Sequence, residues 1–235
     1  MMWSDFLTNQ QLPIHKWAHY FPVYEEALQR YRNRSCTLLE IGCNKGGSLH
    51  LWKRHLGPYA QIIGLDINPD SKQAESEQIH VRIGSQSDSD VLAGLVESFA
   101  PFDIVIDDGS HVMSDINTSF RHLFDHVSMD GVYIVEDLHT AYWDEFEGGM
   151  GQDNSFIEFS KSVIDAMHAR YIRGAQCWDD FTMNVAKQTR SLRISDSIIV
   201  YEKGRDVRKY APNLGQVSPA ENCLGELSFD PQSIA

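Results

Sequence analysis

Short apolar runs recur along the first part of the chain: Thr37-Leu38-Leu39-Glu40-Ile41, Ile62-Ile63-Gly64-Leu65, Ile79-His80-Val81-Arg82-Ile83, Ile104-Val105-Ile106 and Val132-Tyr133-Ile134-Val135. Their length and β-branched content predict buried strands. Between them apolar residues return every three or four positions, at Leu49, Trp52 and Leu56, then Leu92, Leu95, Val96 and Phe99, then Ile116, Phe120, Leu123 and Phe124. That spacing predicts helices. Strands alternating with helices imply an α/β, Rossmann-like, doubly wound and mostly parallel sheet with right-handed crossovers. Two late runs, Ser191-Leu192-Arg193-Ile194 and Ser197-Ile198-Ile199-Val200-Tyr201, flank Ser195-Asp196 and predict an antiparallel edge hairpin.

Ahead of the first strand, Trp17, Tyr20, Tyr24, Leu28 and Tyr31 share one helical face, with an interruption expected near Pro22. Two readings are open. The stripe covers the sheet, or it forms a lid that turns His15 and His19 toward a ligand. Asp144 to Gln152 is too glycine-rich for a regular element and follows a strand end, so a mobile active-site loop is expected there. Phe156, Phe159, Val163, Ile164 and Met167 predict a further helix. Beyond Gly204 the periodicity fades and Pro212, Pro219 and Pro231 punctuate a tail, either loose or packed on another subunit of a homo-oligomer. The expected division is an N-terminal helical lid (1–35), a main domain (36–204) and a C-terminal tail (205–235).

Composition narrows the partners. Net charge is −13 over 235 residues, which excludes a nucleic-acid backbone or an anionic membrane surface as the expected partner. No stretch approaches the roughly 20 apolar residues of a membrane span. The start, Met1-Met2-Trp3-Ser4-Asp5-Phe6, lacks a signal-peptide pattern. Cys36, Cys43, Cys177 and Cys223 form no CxxC pair. Structural zinc is therefore not expected, and a reducing cytoplasm suits the chain.

Chemistry concentrates at the strand ends, where an open α/β sheet places its ligand crevice. The first strand runs into Glu40-Ile41-Gly42-Cys43-Asn44-Lys45-Gly46-Gly47-Ser48. Asn44 occupies the second glycine of a dinucleotide fingerprint, and Lys45 precedes its glycine pair, so neither a nicotinamide site nor a P-loop fits. The loop resembles the nucleotide loop of class I S-adenosylmethionine-dependent methyltransferases. The second strand ends in Asp66-Ile67, where a carboxylate can accept ribose hydroxyls. The third ends in Ser85-Gln86-Ser87, polar groups suited to an adenine edge. By that resemblance Glu40, Gly42, Asn44, Gly46, Ser48, Asp66, Ile67, Ser85, Gln86, Ser87 and Asp107 are the expected cofactor contacts.

The fourth and fifth strands end in Asp107-Asp108-Gly109-Ser110-His111 and Glu136-Asp137-Leu138-His139. Adjacent strands lie about 4.8 Å apart, so Asp108, Glu136 and Asp137 are expected to converge. Crowded carboxylates repel unless something positive sits among them, and oxygen ligands select a hard cation such as Mg²⁺. The alternative is that they are solvated helix caps. A non-haem iron hydroxylase is disfavoured because no histidine is followed two residues later by Asp or Glu. Over roughly His15 to Trp143 these motifs resemble the Mg²⁺-dependent sugar O-methyltransferases that act on macrolide deoxysugars, and the family labelled cephalosporin hydroxylase. The resemblance implies a class I methyltransferase fold, Mg²⁺ at Asp108, Glu136 and Asp137, and His111 as general base, with His139 the runner-up. It implies a sugar-containing small molecule or a glycan as acceptor. Catechol O-methyltransferases use a lysine base, and lysine is absent near Asp108, which favours the sugar branch. Another small-molecule O-methyltransferase, or a non-catalytic S-adenosylmethionine-binding protein, stays open. Tyr142 and Trp143 are candidate stacking surfaces for a sugar. An ordinary imidazole and a water-like hydroxyl differ by about nine pKa units, roughly 12 kcal/mol, so a base needs a cation's help to activate an alcohol.

Overall fold

The computed structural model describes residues 2–174 and 177–205; apart from Arg205, the expected tail lies outside the described residues. Strands β1 (Cys36–Ile41), β2 (Ala60–Asp66), β3 (Ile79–Ile83), β4 (Phe102–Asp107), β5 (Val127–Val135), β6 (Thr189–Ser195) and β7 (Ile198–Lys203) form one sheet. Its order is β3-β2-β1-β4-β5-β7-β6. The pairings among β1 to β5 are parallel, and β7 runs antiparallel to both β5 and β6. The hairpin is therefore stitched onto β5 through its second strand. The strand order reverses between β1 and β4, the place where such sheets open a ligand crevice.

Helices α3 (Gly47–Leu56), α4 (Ser89–Phe99), α5 (Met113–Leu123) and α6 (Phe156–Met167) form where the apolar spacing places them, and α7 (Asp180–Gln188) precedes β6. Asp88, Ser155 and Asp179 each accept a backbone N–H at the start of α4, α6 and α7, satisfying donors that a helix cannot pair internally. Strand alternation splits the core into two layers. Leu38, Ile104, Ile106, Val132 and Ile134 face Leu49 and Trp52 of α3. Leu39, Val105, Tyr133 and Val135 face Ile116, Phe120 and Phe156.

At the N-terminus, α1 (Met2–Leu7) and α2 (Phe21–Leu28) join the first layer. Pro22 does not interrupt a helix but begins one: a 3₁₀ turn over Ala18–Tyr20 leads into α2 with Pro22 in its first turn. The missing N–H costs nothing there. Tyr24 meets Trp52 edge-on at 5.1 Å. The stripe thus covers the sheet, while the chain just before it walls the crevice. His15 lines that crevice. His19 is exposed, with Nε2 3.2 Å from the carbonyl of Asp196.

The glycine-rich stretch from Asp144 is not the loose active-site loop its composition suggests. It holds a 3₁₀ turn over Asp144–Phe146, Gly149 N donates to Ala141 O at 2.8 Å, and Glu147 Oε2 accepts Ser114 N at 3.1 Å. Glu147 thereby covers the start of α5, which lacks a capping side chain of its own. Among the described residues, the crevice lining contains none from this stretch, and no helix is long and apolar enough to cross a membrane.

Candidate active site

A cavity of about 440 Å³ opens outside the carboxyl ends of β1, β2, β4 and β5, a size ordinary for a small-molecule site. Pro13 to Trp17 and Tyr20 form one wall, and the loops carrying Gly42, Asp66, Gln86, Asp108 and Asp137 form the rest.

The glycine loop makes this crevice possible. Gly42 has φ 81°, and a Cβ there would lie 1.9 Å from the carbonyl oxygen of Asp108. Only glycine allows both the left-handed turn and the contact. Gly42→Ala is therefore expected to push the Asp108 turn outward and to abolish binding of S-adenosylhomocysteine in a calorimetric titration, with the fold retained by circular dichroism. Asn44 N donates to Asp66 Oδ2 at 2.5 Å and Asn68 N to Oδ1 at 2.7 Å. These bonds fix the carboxylate while each oxygen keeps accepting capacity. Ser48 Oγ donates to Glu40 Oε2 at 2.5 Å.

Of the expected cofactor contacts, Gly42, Asn44, Ser48, Asp66, Ile67, Ser85 and Gln86 line the crevice. Glu40 and Asp107 do not: both are buried behind it. Gly46 packs toward Ala74, and Ser87 Oγ pairs with Ser85 Oγ at 2.8 Å. The Gln86 amide is engaged within the protein, donating to Asp107 Oδ1 at 3.1 Å and accepting Ser110 N at 2.7 Å. Gln86 therefore braces two strand ends. Burial pushes the Asp107 carboxyl up to about 6, against the hydrogen bonds from Ser119 and Gln86.

Strand alternation explains how the acids divide. Glu40, Asp108 and Glu136 continue the face of Leu38, Ile106 and Ile134, and Asp107 continues the opposite face of Val105. On the first face the three carboxylates meet Lys16. Its Nζ lies 3.1 Å from Glu40 Oε1, 2.7 Å from Asp108 Oδ2 and 3.1 Å from Glu136 Oε2. The ammonium donates to Asp108 and Glu136 and faces Glu40 as an ion pair, with the rings of Trp52 and Tyr24 at 5.7 and 6.0 Å. This corrects the sequence argument that no lysine stands near Asp108, which is true only along the chain. Burial disfavours the Lys16 charge, but Asp108 and Glu136 outweigh it and hold the amine above the ordinary lysine range. Burial pushes the Glu136 carboxyl well above the usual carboxylate range, by more than Lys16 pulls it back.

On the solvent side stands a second grouping. Asp108, His111 and Asp137 each offer one ligand atom, and these atoms lie within 4.8 Å of one another. His111 Nε2 is 3.9 Å from Asp108 Oδ1 and 3.6 Å from Asp137 Oδ2. His111 and Asp137 take left-handed backbone conformations, φ 61° and 54°, uncommon for side-chain-bearing residues and frequent at functional sites. The Asp137 turn is anchored by Tyr20, whose hydroxyl donates to Asp137 Oδ1 at 2.7 Å and accepts Asp137 N at 3.2 Å. Thr140 Oγ1 holds the His111 carbonyl at 3.1 Å. Tyr20→Phe is expected to weaken binding of a divalent ion by about ten- to hundredfold, the value of one hydrogen bond to a charged group, measured by electron paramagnetic resonance with Mn²⁺. Glu136, grouped with these acids on sequence, bonds Lys16 through Oε2, as Asp108 does through Oδ2. His139 lies outside the crevice lining: Nδ1 is 2.6 Å from Ser197 Oγ, and its ring stacks edge-on with Trp143 at 4.9 Å and Trp17 at 6.2 Å.

The sheet order and the crevice at its reversal define a class I methyltransferase fold. No family model matches the chain. It is 41% identical over 165 residues to demethylmacrocin O-methyltransferase of Streptomyces fradiae, spanning 65% of this chain and 41% of the relative. It is 39% identical over 175 residues to mycinamicin VI 2''-O-methyltransferase of Micromonospora griseorubida, spanning 70% of this chain and 43% of the relative. The chain spans about two fifths of the length of these curated relatives. Among solved structures, the MycE methyltransferase of the mycinamycin biosynthetic pathway in complex with Mg and SAH superposes with TM-score 0.74 and 32% identity, covering 87% of this chain and 54% of MycE. The same enzyme with Mg, SAH and mycinamycin VI gives a TM-score of 0.73.

Proposed function

We propose that this chain transfers a methyl group from S-adenosylmethionine to a hydroxyl of a sugar carried on a small-molecule glycoside, with a divalent cation, Mg²⁺ being the expected one, beside the reacting oxygen. The observation that carries the reading is the convergence of Asp108, His111 and Asp137 in a crevice that Asp66 and the Gly42 loop also line. Similarity to MycE, solved with Mg and SAH, supports it, as does similarity to a rhamnosyl tetracenomycin-C 2'-O-methyltransferase of Streptomyces olivaceus, 36% identical over 163 residues.

The donor set fits a hard cation: two carboxylates with room for water and substrate hydroxyls. Asp108 and Asp137 would hold it, with Glu136 within reach of the same ion if Lys16 yields it. Such a cation acidifies and orients a hydroxyl. The chain's own groups do the remainder. Asp66 accepts the ribose hydroxyls of the donor, and the Gly42 loop lets the donor approach the backbone. His111 Nε2 takes the proton of the acceptor hydroxyl. The oxygen then attacks the methyl carbon, and the C–S bond breaks with its electron pair left on sulfur, giving S-adenosylhomocysteine and the methyl ether. Alignment of oxygen, carbon and sulfur is the main contribution of a shaped crevice. Trp17, half-exposed and lining the crevice, offers an apolar face to the acceptor.

The test is incubation with S-adenosylmethionine and Mg²⁺ against a panel of rhamnosyl, olivosyl and other deoxysugar glycosides, with mass-spectrometric detection. A singly methylated glycoside is expected; a panel that returns only unmodified acceptors, while catechols are methylated, would overturn the sugar assignment.

A further inference from the structure

Lys16 is the charged group that the proposed chemistry leaves unexplained. Its side chain is 2% exposed, and it hydrogen-bonds Asp108 and Glu136 while pairing by charge with Glu40. Asp108 also belongs to the grouping with His111 and Asp137, so the ammonium and a divalent ion draw on the same carboxylate. Glu136 Oε1 is buried and makes no hydrogen bond of good geometry, with the Tyr24 hydroxyl as a polar neighbour of the carboxyl, while Oε2 is held by the lysine. An ammonium and a hydrated divalent ion both satisfy clustered carboxylates, and each lowers the attraction felt by the other.

We propose that Lys16 is the resident cation of the crevice and competes with the divalent ion for Asp108 and Glu136. This rests on the reading of the crevice as a divalent-ion site. Without the ion, the ammonium neutralises part of the buried acid cluster and keeps β1, β4 and β5 together at their carboxyl ends. When the ion enters, Lys16 releases Glu136 and retains Glu40. Lys16 is thus a positioning residue that sets cation affinity: one ammonium among three acid side chains leaves oxygen ligands for a second cation, but attracts it less than the acids alone would.

Ion-free protein is titrated with Mn²⁺ by electron paramagnetic resonance, for the unmodified chain, Lys16→Met and Lys16→Arg. Met retains the length and apolar stem of lysine, and Arg retains the charge. Lys16→Met is expected to bind Mn²⁺ at least about tenfold more tightly and to show a melting temperature that rises more with Mg²⁺ than that of the unmodified chain. Lys16→Arg is expected to return Mn²⁺ affinity to within a few-fold of the unmodified chain. Equal or weaker Mn²⁺ binding by Lys16→Met overturns the competition. Should that variant not fold without metal, crystals of the unmodified chain grown with and without Mn²⁺ decide. Separation of Lys16 Nζ from Glu136 in the loaded crystal supports the proposal, and an intact Lys16–Glu136 bond there overturns it. No Mn²⁺ binding by any of these proteins, with methyl transfer also absent, removes the divalent-ion reading itself.

Discussion

His111→Ala is expected to lower kcat by about 10²–10⁴, the range that a positioned general base supplies, while leaving S-adenosylhomocysteine affinity unchanged. The split follows from geometry. His111 stands 3.6 and 3.9 Å from carboxylate oxygens of Asp137 and Asp108, while the expected ribose acceptor, Asp66, belongs to the separate β2 end. Its left-handed φ of 61° aims the turn after β4, and Thr140 fixes that turn. Mn²⁺ affinity distinguishes base from ligand. Little change accompanies loss of a base, whereas a marked loss would make His111 a metal ligand and leave the proton without an acceptor. Stopped-time radiometric assays with Mn²⁺ resonance titrations give both readings.

The second large effect belongs to Asp108→Asn. Asp108 is the one carboxylate shared by Lys16 and the Asp137–His111 grouping. The substitution removes half of the carboxylate pair expected to hold the cation, and it leaves Lys16 with one fewer counter-charge in a buried place. Loss of several kcal/mol of transition-state stabilisation corresponds to roughly 10³-fold or more in rate. The amide nearly matches the carboxylate in shape, so the melting temperature in the absence of metal should fall modestly. A variant with near-normal turnover at saturating Mg²⁺ would remove Asp108 from the cation's shell.

The strand ends were legible because each apolar run terminates in residues that cannot continue a buried strand. Glu40-Ile41-Gly42, Leu65-Asp66 and Ile106-Asp107-Asp108 mark the crevice in one dimension, and sheet topology then brings them together. The hairpin was legible for the same reason. Lys16 was not. It stands 92 residues before Asp108, in a segment without periodicity, and nothing local in His15-Lys16-Trp17 announces a buried cation. The electrostatic argument carried a usable signal: crowded carboxylates need positive charge, and a side chain can furnish part of it before any ion does. Glu136 and Asp137 are neighbours in sequence, so a strand's two-residue period would send them to opposite faces; the left-handed turn at Asp137 redirects one of them. The glycine-rich stretch misled because composition reports backbone freedom, whereas Glu147, bonded to Ser114, docks it on α5.

The central claim is that acids at the ends of β4 and β5 engage a divalent cation that readies a sugar hydroxyl for methylation. Its most direct test is the rate of methyl transfer from labelled S-adenosylmethionine to a rhamnosyl glycoside with Mg²⁺, after EDTA, and after Mg²⁺ is restored. Turnover should disappear with the chelator and return with the metal. Undiminished turnover in EDTA would contradict the account.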